Sequence, residues 1–251
     1  MNDGRRLGSM RWPDVADGSL LVVPLGSCEQ HGPHLPLDTD TRIATALAEL
    51  LATTAEDVVV APAVAVGASG EHQSFPGTLS IGTVALEALL VELVRSAIPP
   101  PGANVPAPFR GVVVVNGHGG NVDATTRAAA LLGAEGRAVL VWHPNVPGGD
   151  SHAGRTETSV LLHLCPDAVR MELAEPGSTA RWRDLRDTVV ANGLAAVSPN
   201  GVLGDPTGAT AAEGAVLVAQ LAAELIATVD AWRASLSTVE QVTPGQREGD
   251  S

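Results

Sequence analysis

The sequence predicts a single α/β domain built on a mostly parallel sheet, and three observations carry that expectation. Short Val- and Leu-rich runs alternate with longer Ala-rich stretches, the pattern of strands fed by crossover helices. Residues 112–115 are four consecutive valines, as expected of a strand buried on both faces. No internal repeat and no linker divides the chain into two cores, so residues 1–238 read as one domain.

The elements follow in order. Residues 20–25 read as a buried strand closed by Gly26, and residues 41–54 as a helix with Ile43, Leu47 and Leu50 at helical spacing. Residues 58–66 are a second strand, with Pro62 marking an edge or a break. Residues 84–97 return to helical periodicity, and the proline-rich stretch 99–108 is an exposed loop. After the strand at 112–115 come a helix over 121–132, a strand over 138–142 and a short helix over 156–164. Residues 175–209, rich in Gly, Pro and Asp, give no clear element. A long helix over 211–232 carries Val216, Leu217, Leu221, Leu225 and Val229 along one stripe, and the polar residues 239–251 read as a disordered tail.

Composition excludes several classes. The chain has 251 residues, 45% hydrophobic and 17% charged, enough to bury a sizeable core. Fifteen basic against 28 acidic side chains give a net charge of −13, a field that repels a phosphate backbone, so no nucleic-acid partner is expected. There is no lysine, which removes Schiff-base chemistry and the phosphate-loop lysine. Tyrosine is absent too, leaving little for base stacking. Two cysteines, Cys28 and Cys165, build neither a disulfide framework nor a thiolate zinc site. The longest apolar runs fall short of the roughly 18 residues a membrane helix needs. A cytoplasmic protein without a membrane partner is the expectation.

The chemistry concentrates in three segments. Residues 26–40, with Glu29, His31, His34 and Asp40, begin where the first strand ends; residues 116–121 place His118 directly after the valine strand; residues 150–158 carry His152 and Glu157. In an open parallel sheet the carboxyl ends of the strands share one edge, where ligands bind, so these segments are expected to meet there. Glu29, His31, Asp40, His118 and Glu157 offer imidazole and carboxylate ligands without thiolate. That set suits Zn, Mn or Fe(II) and is too large for one tetrahedral ion, which points to two ions and a bridging carboxylate. His143 and His163 read as ordinary structural histidines, and Cys28 as a packed thiol. His34 and His72, in Gly/Pro-bearing loops, read equally as support behind the ligands or as substrate contacts, and Glu71 joins them as a substrate-binding candidate. Residues 117–122 mimic a dinucleotide fingerprint but lack its third glycine, and residues 149–153 mimic a nucleophile elbow but end in Ala153 and follow no strand.

The blocks Glu29-Gln30-His31-Gly32-Pro33-His34-Leu35-Pro36, Thr39-Asp40, Phe75-Pro76-Gly77-Thr78, Asn116-Gly117-His118-Gly119-Gly120-Asn121 and His152-Ala153-Gly154 before Glu157-Thr158-Ser159 resemble the creatininase (creatinine amidohydrolase) family. The match in order and spacing runs from about residue 20 to residue 165. The resemblance implies a three-layer α/β/α fold, two divalent ions per subunit and a homo-oligomer, often a hexamer. Carried over by position, Glu29 and His118 would hold one ion and His31 and Glu157 the other, with Asp40 between them and His152 as the catalytic histidine. Creatinine-hydrolysing members carry a glutamate ligand at the place of Gly120, so creatinine is not the expected substrate. Within the family the chain looks most like the mycofactocin-system branch, peptidases that release the modified C-terminal Val-Tyr unit of a precursor peptide. The implied activity is metal-dependent hydrolysis of an amide bond, in which the ions make a water nucleophilic near neutral pH and His152, taken at an ordinary pKa of about 6.5, protonates the leaving amine. Competing readings are a small-molecule cyclic amide or formamide hydrolase with the same centre, a non-catalytic metal-binding peptide carrier and a purely structural oligomer.

Overall fold

The computed structural model describes residues 5–100 and 102–241. Strands β1 (Ser19–Leu25), β2 (Val58–Val60), β3 (Phe109–Asn116) and β4 (Val139–Trp142) form one sheet of order β2-β1-β3-β4, parallel throughout. The helices are α1 (Thr39–Thr54), α2 (Gly82–Ala97), α3 (Val122–Ala134), α4 (Arg155–Leu164), α5 (Trp182–Asn192) and α6 (Ala211–Gln241). Both central strands are apolar on both faces because both faces are covered. Leu20, Val22, Val113 and Val115 pack under α1, α4 and α6, whereas Leu21, Val23, Val112 and Val114 pack under α2 and α3. Alternation along each strand thus feeds two cores, and the architecture is three-layered.

The strand order has a functional consequence. The chain moves outward from β1 to β2, then returns across β1 to β3 and continues to β4. Right-handed crossovers in opposite directions place α1 on one face and α2 and α3 on the other. The reversal falls between β1 and β3, so their carboxyl ends frame the crevice in which such sheets hold ligands.

Several expectations are refined. Helix α1 starts at Thr39, two residues before the expected start at 41, which draws Asp40 into its first turn. The second strand stops at Val60; beyond Pro62 the chain meets β1 again at the isolated Leu25–Val64 bridge, and β2 is an edge strand. Segment 175–209 contains α5 and short 3₁₀ turns at Leu194–Ala196 and Pro206–Gly208. The buried stripe of α6 is Val218, Leu221, Leu225 and Val229, with Leu217 packed at its margin, while Val216 is exposed. Counting back three or four residues from Leu221 gives 217 and 218, not 216. By length and composition Ala211–Leu236 would suffice to cross a membrane, yet its apolar stripe is committed to the core. Helix α6 continues to Gln241, past the expected start of the tail at 239, and residues 242–251 lie outside the described residues.

Candidate metal centre

The loop after β1, the turn after β3 and the loop entering α4 converge. Asp40 lies at their middle: its Oδ1 is 3.0 Å from His31 Nε2, and its Oδ2 is 3.3 Å from His118 Nδ1. Ser27 Oγ, at the end of β1, donates to the same Oδ2 at 2.6 Å. The first turn of α1 favours negative charge at this position. Glu29 Oε2 is 3.0 Å from His118 Nε2, and Glu157 Oε2 is 3.9 Å from His31 Nε2. His31 Nδ1 donates to the Glu29 carbonyl at 3.1 Å, which leaves Nε2 as the nitrogen turned toward the acids. Glu29, His31 and Asp40 are close enough together to hold one cation; so are Glu29, His72 and His152, and His31, His152 and Glu157.

Electrostatics expose a deficit of positive charge. Glu29, Asp40 and Glu157 have imidazoles as their charged partners among the described residues. Burial works against charge on His31, but Asp40 outweighs it and raises the imidazole to about 10. His118 likewise stands well above its ordinary value, burial being overcome by Glu29 and Asp40. Asp40 is buried yet held well below the carboxylate range by His31 and His118. Glu157, with less compensation, is pushed by burial up to about 7. Both Glu29 oxygens are buried and accept no hydrogen bond. Buried carboxylate lone pairs left unpaired, beside imidazoles that must take up protons to balance them, fit divalent cations.

The structure brings His152 into the same cluster, its Nδ1 3.7 Å from Glu29 Oε1. It differs from expectation in its titration: burial, followed by the charges of His31 and His72, pushes it well below 6.5. A tight turn aims it. Ala153, at φ 53°, is the non-glycine residue in the left-handed region among those described, and its N–H donates to Glu157 Oε2 at 2.6 Å. His72 Nε2 stands 3.2 Å from Glu29 Oε1, with burial and the His118 and His31 charges lowering its pKa to about 3. Glu71 Oε1 reaches 3.6 Å from His118 Nε2, and burial raises this carboxyl. His34 faces away: its Nε2 is 2.8 Å from Thr158 Oγ1, and burial lowers it to about 4. His143 pairs with Asn116 outside the cluster, His163 is exposed on α4, and Cys28 is half-buried against the Gly77 carbonyl.

Sequence reasoning passed over Ser27, Gln30 and Asp150. Asp150 accepts from the Arg155 and Thr156 N–H groups and so caps the helix that carries Glu157. An acidic residue five positions before a helix start was the available signal. Position 120 is closed to any side chain, because a Cβ there would lie 2.4 Å from the Ala68 carbonyl and 2.6 Å from Glu71 Oε1. Glu71, from another loop, fills the space beside His118.

A doubly wound α/β domain with a buried carboxylate–imidazole cluster at its switch point has the form of a hydrolytic enzyme. A family profile described as creatinine amidohydrolase matches residues 8–229, and the chain belongs to the creatininase family. It is 54% identical over 222 residues to a mycofactocin precursor peptide peptidase of Mycobacterium tuberculosis (strain ATCC 25618 / H37Rv), covering 84% of this chain and 85% of that protein. It is 26% identical over 200 residues to the creatinine amidohydrolase of Pseudomonas putida, covering 66% and 74%. A manganese creatininase structure superposes with a TM-score of 0.72 at 22% identity over 90% of this chain and 97% of that one. A Zn–Zn creatininase variant superposes at 0.71 and 22% identity over 89% and 96%.

Proposed function

We propose that the protein is a metal-dependent peptidase that releases the modified C-terminal Val-Tyr unit from a mycofactocin-type precursor peptide. The observation that carries the metal dependence is the pair of buried Glu29 oxygens that accept no hydrogen bond within a ring of acids and imidazoles. The substrate class is supported by the 54% identity to a peptidase of that name.

Glu29 and His118 would hold one divalent ion and His31 and Glu157 a second, with Asp40 between them. The ions are Zn, Mn or Fe(II), all compatible with mixed nitrogen and oxygen donors. Such ions polarise a carbonyl and make a water nucleophilic near neutral pH. His31 and His118 keep Asp40 ionised, and the Ser27 hydroxyl orients it. His152, neutral in its buried setting, would take up the proton that the attacking water gives up and pass it to the leaving amine. Glu71 and His72, at the Glu29 side, would meet the peptide. The enzyme works in the cytoplasm as a homo-oligomer, a hexamer by family resemblance.

The test combines elemental analysis of protein purified without chelator with mass spectrometry of a Val-Tyr-ended precursor peptide. About two metal equivalents per chain and release of the terminal unit are expected. Turnover of small cyclic amides alone would move the enzyme to the small-molecule reading. Peptide retention with no turnover of any substrate would make it a carrier.

A further inference from the structure

Gln30 stands between two proposed ligands and is 5% exposed. Two backbone groups fix its carboxamide. Oε1 accepts from the Gly32 N–H at 2.9 Å, and Nε2 donates to the Gly201 carbonyl at 3.1 Å. The flipped amide would set oxygen against oxygen and N–H against N–H, so this orientation is forced. The second Nε2 hydrogen points to His72 Nδ1 at 2.9 Å. His72 Nδ1 is therefore an acceptor, and the neutral ring carries its proton on Nε2, toward Glu29 Oε1 at 3.2 Å. His152 Nε2 lies 2.9 Å from the Gln30 backbone carbonyl, which can only accept. The proton of neutral His152 is thus on Nε2, and its lone pair is on Nδ1, toward the Glu29 side of the centre. The 3.0 Å approach of Gln30 Nε2 to His152 Nε2 is then a contact between two donors satisfied elsewhere.

We infer that Gln30 is a positioning residue that sets the tautomers of both imidazoles, holding His72 with its Nε2–H turned to the Glu29 side and His152 with an unprotonated Nδ1 facing the reacting groups. Two consequences follow from the chemistry. The group Glu29, His72 and His152 loses one ligand nitrogen, so a cation belongs with His31 and Asp40 instead. His152 presents an acceptor where a proton must arrive before it can be passed on. Gly201 completes the arrangement: at φ 78° its Cβ would meet Gln30 Oε1 at 1.8 Å, so only glycine lets this carbonyl close on the amide.

The kinetic arm of the test rests on the hydrolase reading, whereas the spectroscopic arm does not. Long-range ¹H–¹⁵N correlation spectra of the zinc-loaded, ¹⁵N-histidine-labelled protein are expected to show both His72 and His152 in the Nε2–H form. Either ring in the Nδ1–H form overturns the inference. In Gln30→Met, which keeps length and loses the donor, His72 is expected to lose its single tautomer. The accompanying kcat falls about 10–100-fold with metal per chain unchanged and KM within about threefold of the parent. An unchanged His72 spectrum in a folded Gln30→Met protein also overturns it, and if that variant does not fold, the parent spectrum decides alone. Absence of turnover by the parent enzyme would defeat the hydrolase reading and leave the tautomer result standing.

Discussion

The loops at the ends of β1 and β3 and the segment 175–209 serve the same centre by different means. The strand-end loops supply ionisable side chains, Glu29, His31, Asp40 and His118, from backbone anchored at the buried carboxyl ends of β1 and β3. The later segment supplies shape and backbone groups. Val189 and Leu194, with Leu203, form a small core that takes in Phe75, and so covers the loop bearing Glu71 and His72. Leu203 exchanges backbone hydrogen bonds with His152, and the Gly201 carbonyl holds Gln30. One region carries the charge and the other aims it, so damage to each should read out differently.

The largest effect is expected on the side proposed to hold metal. Asp40→Asn keeps the shape but halves the acid's capacity between His31 and His118. It should lower metal content per chain, read by elemental analysis, and reduce kcat/KM by on the order of 10³-fold or more, about 4 kcal/mol. His152→Ala belongs between the two regions: turnover should fall about 10²–10⁴-fold while both ions stay bound. Retained turnover at full metal occupancy would remove His152 from proton transfer. Gly201→Ala probes the aiming region alone. Its strained φ and the displaced Gln30 should cost about 1–3 kcal/mol, a drop of several degrees in Tm, and lower activity about 10–100-fold with metal content unchanged. Loss of metal in this variant would collapse the distinction between the regions.

That distinction also explains what the sequence disclosed. Alternating β-branched and Ala-rich runs determine a parallel sheet because strands buried on both faces must be apolar throughout, and the ends of such strands announce where side chains gather. Glu29, His31, Asp40, His118 and Glu157 could be picked out because their chemistry is in the side chain. Gly201 and Leu203 could not, since they act through carbonyl and amide groups that every residue owns. Helix α5 was hidden for a related reason: of its residues only Val189 is fully buried, so it lacks the apolar stripe that betrays α1 or α4. Gln30 lay in plain view within a recognisable block, but its role depends on partners at 72, 152 and 201, which spacing along the chain does not reveal.

The smallest effect should come from a pin that touches neither region. Asp57, just before β2, pairs with Arg110 of β3 and Arg233 of α6, closing the sheet edge away from the centre. Burial opposes its charge, but the Arg233 and Arg110 hydrogen bonds outweigh it and depress the carboxyl below its usual value. A depressed acid stabilises the fold above its unfolded pKa, about 3.9, and loses that contribution as pH falls through the lower folded value. Asp57→Asn should therefore unfold about 1 kcal/mol more easily at pH 7, discounted for a pair about one third exposed, with the gap closing as pH falls below about 4. Denaturant titration at the two pH values reads the gap, and metal content and kcat should match the parent. A change in kcat would mean that the sheet's far edge is coupled to the aiming of His152, and the division into a charged region and an aiming region would have to include the core between them.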